Sequence, residues 1–153
     1  MSRIEAGECE HMDMEWYGID RQGNIAVFCS GGEGNLPEFV CENVERADEL
    51  MEYFDKFEKI TDSILKFPDT TTGCAEQVAR DFSDKGLYYY DADDGTKSGI
   101  NIFHEYYTKH SSPRKPLKYE VLPENIRNIL KHNVMEIEDF AKEDTIYVEH
   151  AYG

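Results

Sequence analysis

The sequence lacks any apolar run approaching the roughly 20 residues of a membrane span, so it predicts no transmembrane segment. Its N-terminal stretch also lacks the apolar core of a secretory signal and places four glutamates before Trp16. The cysteines form no C-x-x-C pair of a zinc or redox motif. They are Cys9, Cys29, Cys41 and Cys74. We therefore expect a cytoplasmic protein whose cysteines are thiols, with a Cys29–Cys41 bridge as the less favoured alternative.

The chain also lacks the lysine of a phosphate-binding loop. Glycines follow an apolar run at Gly31, Gly32 and Gly34, where such a loop would lie. A P-loop needs G-x-x-x-x-G-K-[ST], but no Lys or Arg occurs between Arg21 and Arg46. The dinucleotide fingerprint G-x-G-x-x-G also fails, because a proline stands where the third glycine belongs. We therefore expect a strand exit with unusual backbone dihedrals and no nucleotide.

No metal or nucleophile motif is complete. Segment 91–95 begins like a calcium loop, but its glycine falls one position early and Ile102 replaces the final glutamate. His104 and Glu105 begin H-E-x-x-H, but Thr108 replaces the second histidine. There is no G-x-S-x-G elbow. We predict no catalytic residue, no metal and no cofactor. The alternative is a small hydrolase or metal-dependent enzyme that uses carboxylates and histidines gathered by the fold.

Basic residues are scarce. The chain has 32 Asp and Glu against 16 Lys and Arg, which gives a formal net charge of −16. The excess is concentrated in residues 1–66. Such a field repels nucleic-acid phosphates and anionic lipids, so we expect neither nucleic acid nor a membrane as a partner. It would attract a basic protein, although solubility alone also accounts for acidity.

A long amphipathic helix is the clearest local pattern. It is predicted over residues 43–67, with Asn43 as its N-cap and Pro68 as its stop. Its apolar stripe comprises Ala47, Leu50, Met51, Phe54, Phe57, Ile60 and Ile64. Two shorter helices are predicted at 71–86 and 122–133. The inward residues of the first are Ala75, Val78, Ala79 and Phe82.

Runs with β-type composition account for most of the remainder. Residues 16–19 and 25–28 are predicted to form a hairpin in which Gly23 takes a positive φ. A second hairpin is predicted from 87–92 and 99–107, with its turn at 93–98. Further predictions are a loop at 110–116, short strands at 117–121 and 144–152, and a strand or helix continuation at 134–140.

These elements predict the fold class. Because strands cluster rather than alternate singly with helices, we expect an α+β protein. Its mainly antiparallel sheet would pack against one long helix and two shorter helices. Residues 1–12 are predicted to be a flexible lead-in, and residues 13–153 to form a single domain.

The exposed side of the long helix carries a run of carboxylates. Several are three or four residues apart, so like charges meet and repel by about a few tenths of a kcal/mol per pair. A basic partner would relieve this repulsion, whereas a merely solvated helix surface is the alternative interpretation. The predicted partner-binding residues are Glu45, Asp48, Glu49, Glu52 and Asp55, with Glu33 in the adjoining loop.

Two segments resemble small bacterial immunity-type proteins of polymorphic toxin systems. Residues 16–40, WYGIDRQGNIAVFCSGGEGNLPEFV, are similar to their opening hairpin. Residues 116–150 are similar to their C-terminal layout, in which a strand leads into L-P-x-x-I, a helix and a closing strand. The resemblance implies a single-domain partner that blocks a toxin by tight binding without catalysis. It does not extend to the middle of the chain and implies no functional residue.

We therefore predict a non-catalytic acidic binding protein of the immunity type. It would neutralise a cognate basic toxin, for instance a nuclease, by occluding the toxin's active surface. Another interpretation is a housekeeping or regulatory domain whose binding surface is formed by Tyr88–Tyr90 and Tyr106–Tyr107. Those tyrosines suit sheet packing better.

Overall fold

The structure, a computed structural model, describes residues 14–31, 34–92, 105–149 and 151. It confirms the α+β class, with a mostly antiparallel sheet and helices packed on it. The strands are β1 (Glu15–Ile19), β2 (Ile25–Cys29), β3 (Ser63–Leu65), β4 (Tyr88–Asp91), β5 (Tyr106–Pro113) and β6 (Thr145–Tyr147). The α-helices are α1 (Glu38–Cys41), α2 (Val44–Asp55), α3 (Gly73–Ser83) and α4 (Glu124–Leu130). Within these ranges, no helix combines the length and the hydrophobicity of a membrane span.

The sheet order among the described strands is β1-β2-β4-β5-β3, and β6 pairs with the first half of β5. β2 and β4 run parallel, because the chain crosses over between them through α1, α2, β3 and α3. The other described strand pairs are antiparallel. β4 lies in the middle of this order, between β2 and β5.

The predicted β1–β2 hairpin is confirmed, and one buried carboxylate organises its turn. Gly23 adopts a φ of 80°, as expected for a short hairpin loop. Asp20 Oδ1 accepts hydrogen bonds from the backbone N–H groups of Gln22 at 2.9 Å and Asn24 at 2.8 Å. Asp20 Oδ2 accepts one from the N–H of Phe140 at 2.8 Å. This carboxylate therefore ties the hairpin turn to the C-terminal part of the chain.

The glycine cluster after β2 has a structural explanation. Gly31 has a φ of 60°, which confirms the predicted unusual dihedral at the strand exit. Gly34 allows a close approach, since a Cβ there would lie 2.5 Å from the hydroxyl oxygen of Tyr107. Gly32 and Glu33 lie outside the described residues. The described glycines thus let the loop leave β2 and pack on β5.

Alternate strand residues point to opposite faces of the sheet, and both faces are buried. One face carries Trp16 and Phe28 and is covered by α1, the loop before it and the chain after α4. We call it the loop-covered face. The opposite face carries Tyr17, Val27 and Tyr89 and is covered by α2, α3 and α4. We call it the helix-covered face.

The long helix is shorter than predicted. α2 ends at Asp55, and the chain then forms β3 instead of continuing as a helix. Met51, Ile60 and Ile64 are 42% to 47% exposed, so they do not belong to a buried stripe. Lys85 Nζ donates to a carbonyl oxygen of the last turn of α2 at 2.7 Å. This cap and the pairing of β3 with β5 outweigh the local helical spacing.

The second predicted helix is confirmed as α3, and of its predicted inward residues Ala79 and Phe82 pack against the core, whereas Ala75 and Val78 do not. Ala79 and Ser83 are buried, whereas Val78 is 40% exposed and Ala75 is also exposed. The Ser83 hydroxyl lies 2.7 Å from that of Ser111 on β5. Because the two buried hydroxyls bond to each other, Ser83 can occupy a core position although it is not part of the predicted apolar pattern.

Three further predictions need correction. Residues 110–113 are not a loop, because β5 continues to Pro113 and pairs there with β3. Residues 119–121 form a 3₁₀ turn instead of a strand. The chain from 134 to 139 is neither regular strand nor helix and leads into a 3₁₀ turn at 140–142. Contacts with distant elements fix these short segments, so local composition does not reveal them.

Other predictions are confirmed. The helix predicted at 122–133 is α4, and the closing strand is β6. The described cysteines, at positions 29, 41 and 74, form no disulfide bond. Several predictions lie outside the described residues: the lead-in at 1–12, the turn at 93–98 with most of the calcium-like loop, and the strand at 99–104 with His104.

Candidate protein-interaction site on α2

α2 has one apolar and one acidic side. Its first turn is capped by Asn43, whose side chain accepts a hydrogen bond from the N–H of Arg46 at 3.3 Å. Ala47, Leu50 and Phe54 are buried. The carboxylates lie on the opposite side of the helix and are all exposed: Glu45, Asp48, Glu49, Glu52 and Asp55. The helix thus brings together every predicted site residue except Glu33, which lies outside the described part of the chain.

Ion pairing neutralises this acidic side of α2 only in part. Glu52 pairs with Lys56 at 3.2 Å, and both side chains are more than 70% exposed. Such solvent-exposed pairs contribute about 0–1 kcal/mol. Asp48 and Glu49 form no ion pair with any residue that the structure describes. The acidic side therefore keeps most of its negative potential.

Asp55 extends the acidic surface beyond α2. It borders a shallow cleft of about 140 Å³ together with Glu15 of β1, Asp81 of α3 and Lys85. The Tyr17 hydroxyl donates a hydrogen bond to Glu15 Oε2 at 2.7 Å. Burial, and then the charge of Glu15, raise the pKa of Tyr17 well above its usual value, so it stays a neutral donor. One lysine among three carboxylates leaves the cleft with a net negative charge.

Glu15 and Asp81 were missed by the sequence predictions. They are far from α2 in the chain and reach Asp55 only because β1 and α3 both pack beside the end of α2. Strand alternation places Glu15 on the same face of β1 as Tyr17. Nothing in the sequence, however, indicates which helix covers that face.

Metal-ligating and buried polar side chains among the described residues also bear on the sequence predictions. No group of three or more His, Cys, Asp or Glu side chains within them is arranged to hold a metal ion. The buried carboxylate of Asp20 is occupied by hydrogen bonds to backbone N–H groups. Tyr88–Tyr90 are at most 6% exposed, so they pack inside the protein and form no binding surface. The interpretation as sheet packing is confirmed for Tyr88–Tyr90 and for Tyr107, whereas Tyr106 is 40% exposed.

The residues that carry the resemblance to immunity-type proteins have structural roles. Trp16 stacks on Phe28 with ring centroids 4.1 Å apart, and the L-P-x-x-I segment buries Leu122 and Ile126. Asp20 organises the hairpin turn. These contacts account for a fold and not for a binding activity, so the immunity assignment stays a prediction. Comparison with protein-family models, with curated proteins and with solved structures found no match to this chain.

Proposed function

We propose that this protein is a cytoplasmic, non-catalytic acidic binding protein of the immunity type. It would neutralise a cognate basic toxin by occluding the toxin's active surface. The acidic side of α2 supports this proposal most directly, because its carboxylates are exposed and Asp48 and Glu49 have no ion pair among the described residues. Crowded like charges repel one another, and a cationic partner relieves that repulsion.

Binding would follow from electrostatics and shape alone. The negative field steers a basic partner into encounter, which raises the association rate. The carboxylates then take the place of nucleic-acid phosphates on the partner's Lys and Arg, which makes a nuclease the toxin class that fits best. Leu50 and Phe54 are at most 1% exposed, so the buried side of α2 holds the acidic side in a fixed orientation.

The proposal predicts that a toxin domain is encoded beside the gene for this protein, and the test uses that domain. We expect co-expression of the wild-type protein to protect cells from that domain. In purified form, the triple variant Asp48→Lys, Glu52→Lys, Asp55→Lys should associate about tenfold or more slowly at low salt. Its association rate should also depend less on salt concentration. The far-UV circular dichroism spectrum should not change, because all three side chains are exposed.

A second triple variant distinguishes the effect of the acidic side of α2 from the effect of the protein's net charge. Asp69→Lys, Glu120→Lys and Glu143→Lys change the net charge by the same amount at exposed positions outside α2. We expect a smaller loss of association rate in this control. Equal losses in the two triples would reject the α2 site, and failure of the wild-type protein to protect cells would reject the proposed function itself.

A further inference from the structure

A groove on the loop-covered face is separate from the acidic side of α2. Its volume is about 480 Å³, and its walls come from the short segments 37–39, 134–136 and 147–149, with Ala151. The first segment begins α1, the second follows α4, and the third leaves the end of β6. A groove of this volume is in the range of sites that bind small ligands or side chains.

Hydrogen bonds to neighbouring elements hold the walls in place. The N–H of Met135 donates to the carbonyl of Ile19, at the end of β1, at 2.9 Å. The side-chain amide of Asn35 donates to the carbonyl of Val148 at 3.1 Å. Val148 itself is 3% exposed and belongs to the core. The groove is therefore formed before any partner arrives, which lowers the entropy cost of binding.

The groove exposes apolar side chains on separate walls. Val134 is 55% exposed and Tyr147 is 60% exposed. Phe39 and Met135 also line the groove and pack against the core beneath it. Large apolar side chains that share one exposed concave surface mark a contact site more strongly than scattered ones do.

Charge restricts what the groove can accept. Each wall supplies one glutamate, at Glu38, Glu136 and Glu149, and no Lys, Arg or His is among its described lining residues. Carboxylates around an apolar surface repel an acidic segment and attract a basic one. The combination fits a segment with both properties, an apolar side chain and positive charge next to it.

We propose that this groove docks a basic segment of a partner protein, in which an apolar side chain lies between Lys or Arg residues. The apolar side chain packs against Val134 and Phe39, and the flanking cations pair with Glu136 and Glu149. This inference goes beyond the proposed function, because it needs neither the acidic side of α2 nor a toxin as the partner.

The test is an NMR titration of the uniformly ¹⁵N-labelled full chain with three synthetic peptides at physiological salt. The first peptide alternates lysine with leucine and phenylalanine, the second replaces its apolar residues with serine, and the third replaces its lysines with glutamate. We expect only the first to give saturable shifts of the amides at 38–39, 134–136 and 147–149. Saturable shifts from the serine peptide at these amides would overturn the proposal, as would first-peptide shifts confined to α2.

Matched variants test the two components separately. Val134→Ser with Tyr147→Ser should weaken binding of the first peptide about tenfold, whereas Val121→Ser, at a side chain 72% exposed outside the groove, should leave it unchanged. The pair Glu136→Gln and Glu149→Gln should weaken binding about threefold or more. The control pair Glu120→Gln and Glu124→Gln should have no effect. Unchanged binding in the groove variants, with their spectra otherwise native, would contradict the assignment.

Discussion

On the helix-covered face of the sheet, Tyr17 and Tyr89 pack beneath regular helices, and Tyr17 stacks on Phe54 of α2 at 4.8 Å. On the loop-covered face, Trp16 and Phe28 pack beneath one turn of helix and long stretches of irregular chain. Both faces are buried. They differ in how the covering backbone satisfies its hydrogen-bonding groups.

A helix bonds its own backbone internally, so an apolar stripe is enough to hold it on a sheet. Irregular chain needs partners from elsewhere, and the core beneath the loop-covered face supplies them. The Tyr90 hydroxyl donates to the carbonyl of Phe140 at 3.0 Å, and the Tyr107 hydroxyl donates to that of Asn35 at 2.7 Å. Lys109, 3% exposed, donates to a carbonyl of the 140–142 turn at 3.2 Å. Hydroxyl and ammonium groups of buried side chains thus hold in place the irregular chain over the loop-covered face, which we call the irregular cover.

The largest effect that we expect is alkaline unfolding of both faces together. Burial raises the pKa of Tyr88 to about 12. It likewise raises the pKa values of Tyr17, Tyr89, Tyr90 and Tyr107. An unfolded tyrosine has a pKa of about 10, so the folded state keeps protons that the unfolded state releases. This stabilisation of the folded state is complete below pH 10 and is lost as the pH rises through the folded-state pKa values. Tyr88 alone accounts for a loss of about 2 kcal/mol by pH 12.

Two spectroscopic probes report the two faces separately during this titration. Trp16 is the single tryptophan and lies on the loop-covered face, so its fluorescence follows that face. Far-UV circular dichroism follows mainly the helices of the other face. We expect the two transitions to coincide above pH 10, as in a two-state unfolding. A fluorescence change at lower pH than the dichroism change would show that the irregular cover opens by itself.

Among the single substitutions that test the difference between the two faces, Asp20→Ala should lower the free energy of unfolding most. Asp20 is 3% exposed, and its loss removes the acceptor for the N–H groups of Asn24 and Phe140. A buried donor left without a partner costs about 1–3 kcal/mol, so we expect a loss of about 3 kcal/mol in the free energy of unfolding. Urea denaturation monitored by Trp16 fluorescence measures it.

Asp139→Ala is the matched control. This neighbouring carboxylate accepts an exposed hydrogen bond from the N–H of Ala141 at 2.9 Å, which water can replace, and a longer, partly buried one from the side-chain amide of Asn24 at 3.3 Å. We expect a loss of about 1 kcal/mol, as for other side-chain caps. Equal losses of unfolding free energy in Asp20→Ala and Asp139→Ala would contradict the view that the buried carboxylate of Asp20 joins the hairpin to the irregular cover.

The contrast between the faces also explains which parts of the fold were predictable. Each helix of the helix-covered face shows its own apolar spacing, so α2, α3 and α4 were found from local sequence. Ile60 and Ile64 continue that spacing by coincidence, because β3 is decided by pairing with β5 almost 50 residues later. The irregular cover has no period. Its anchors, such as Tyr90 and Lys109, cannot be recognised before the sheet is assembled.

The candidate site follows the same division. The carboxylates from Glu45 to Asp55 were predictable, because they lie on one helix and helical spacing alone places them together. Glu15 and Asp81 join Asp55 only through the packing of three elements. The groove between α1 and the end of β6 is likewise formed by segments that are distant in the chain, and no local pattern indicates it.

The smallest effect compares two tyrosine hydroxyls, one from each face. Tyr90→Phe removes the donor for two carbonyls of the irregular cover, a buried one at Phe140 and a partly buried one at Glu143, so we expect a loss of about 1–2 kcal/mol in unfolding free energy. Tyr17→Phe removes a donor to the carboxylate of Glu15, which water can reach. We expect a loss below about 0.5 kcal/mol there, since phenylalanine keeps the ring contacts. Urea denaturation of both variants decides the comparison. A loss at Tyr17 that equals or exceeds the loss at Tyr90 would mean that hydroxyl anchors matter no more beneath irregular chain than beneath helices.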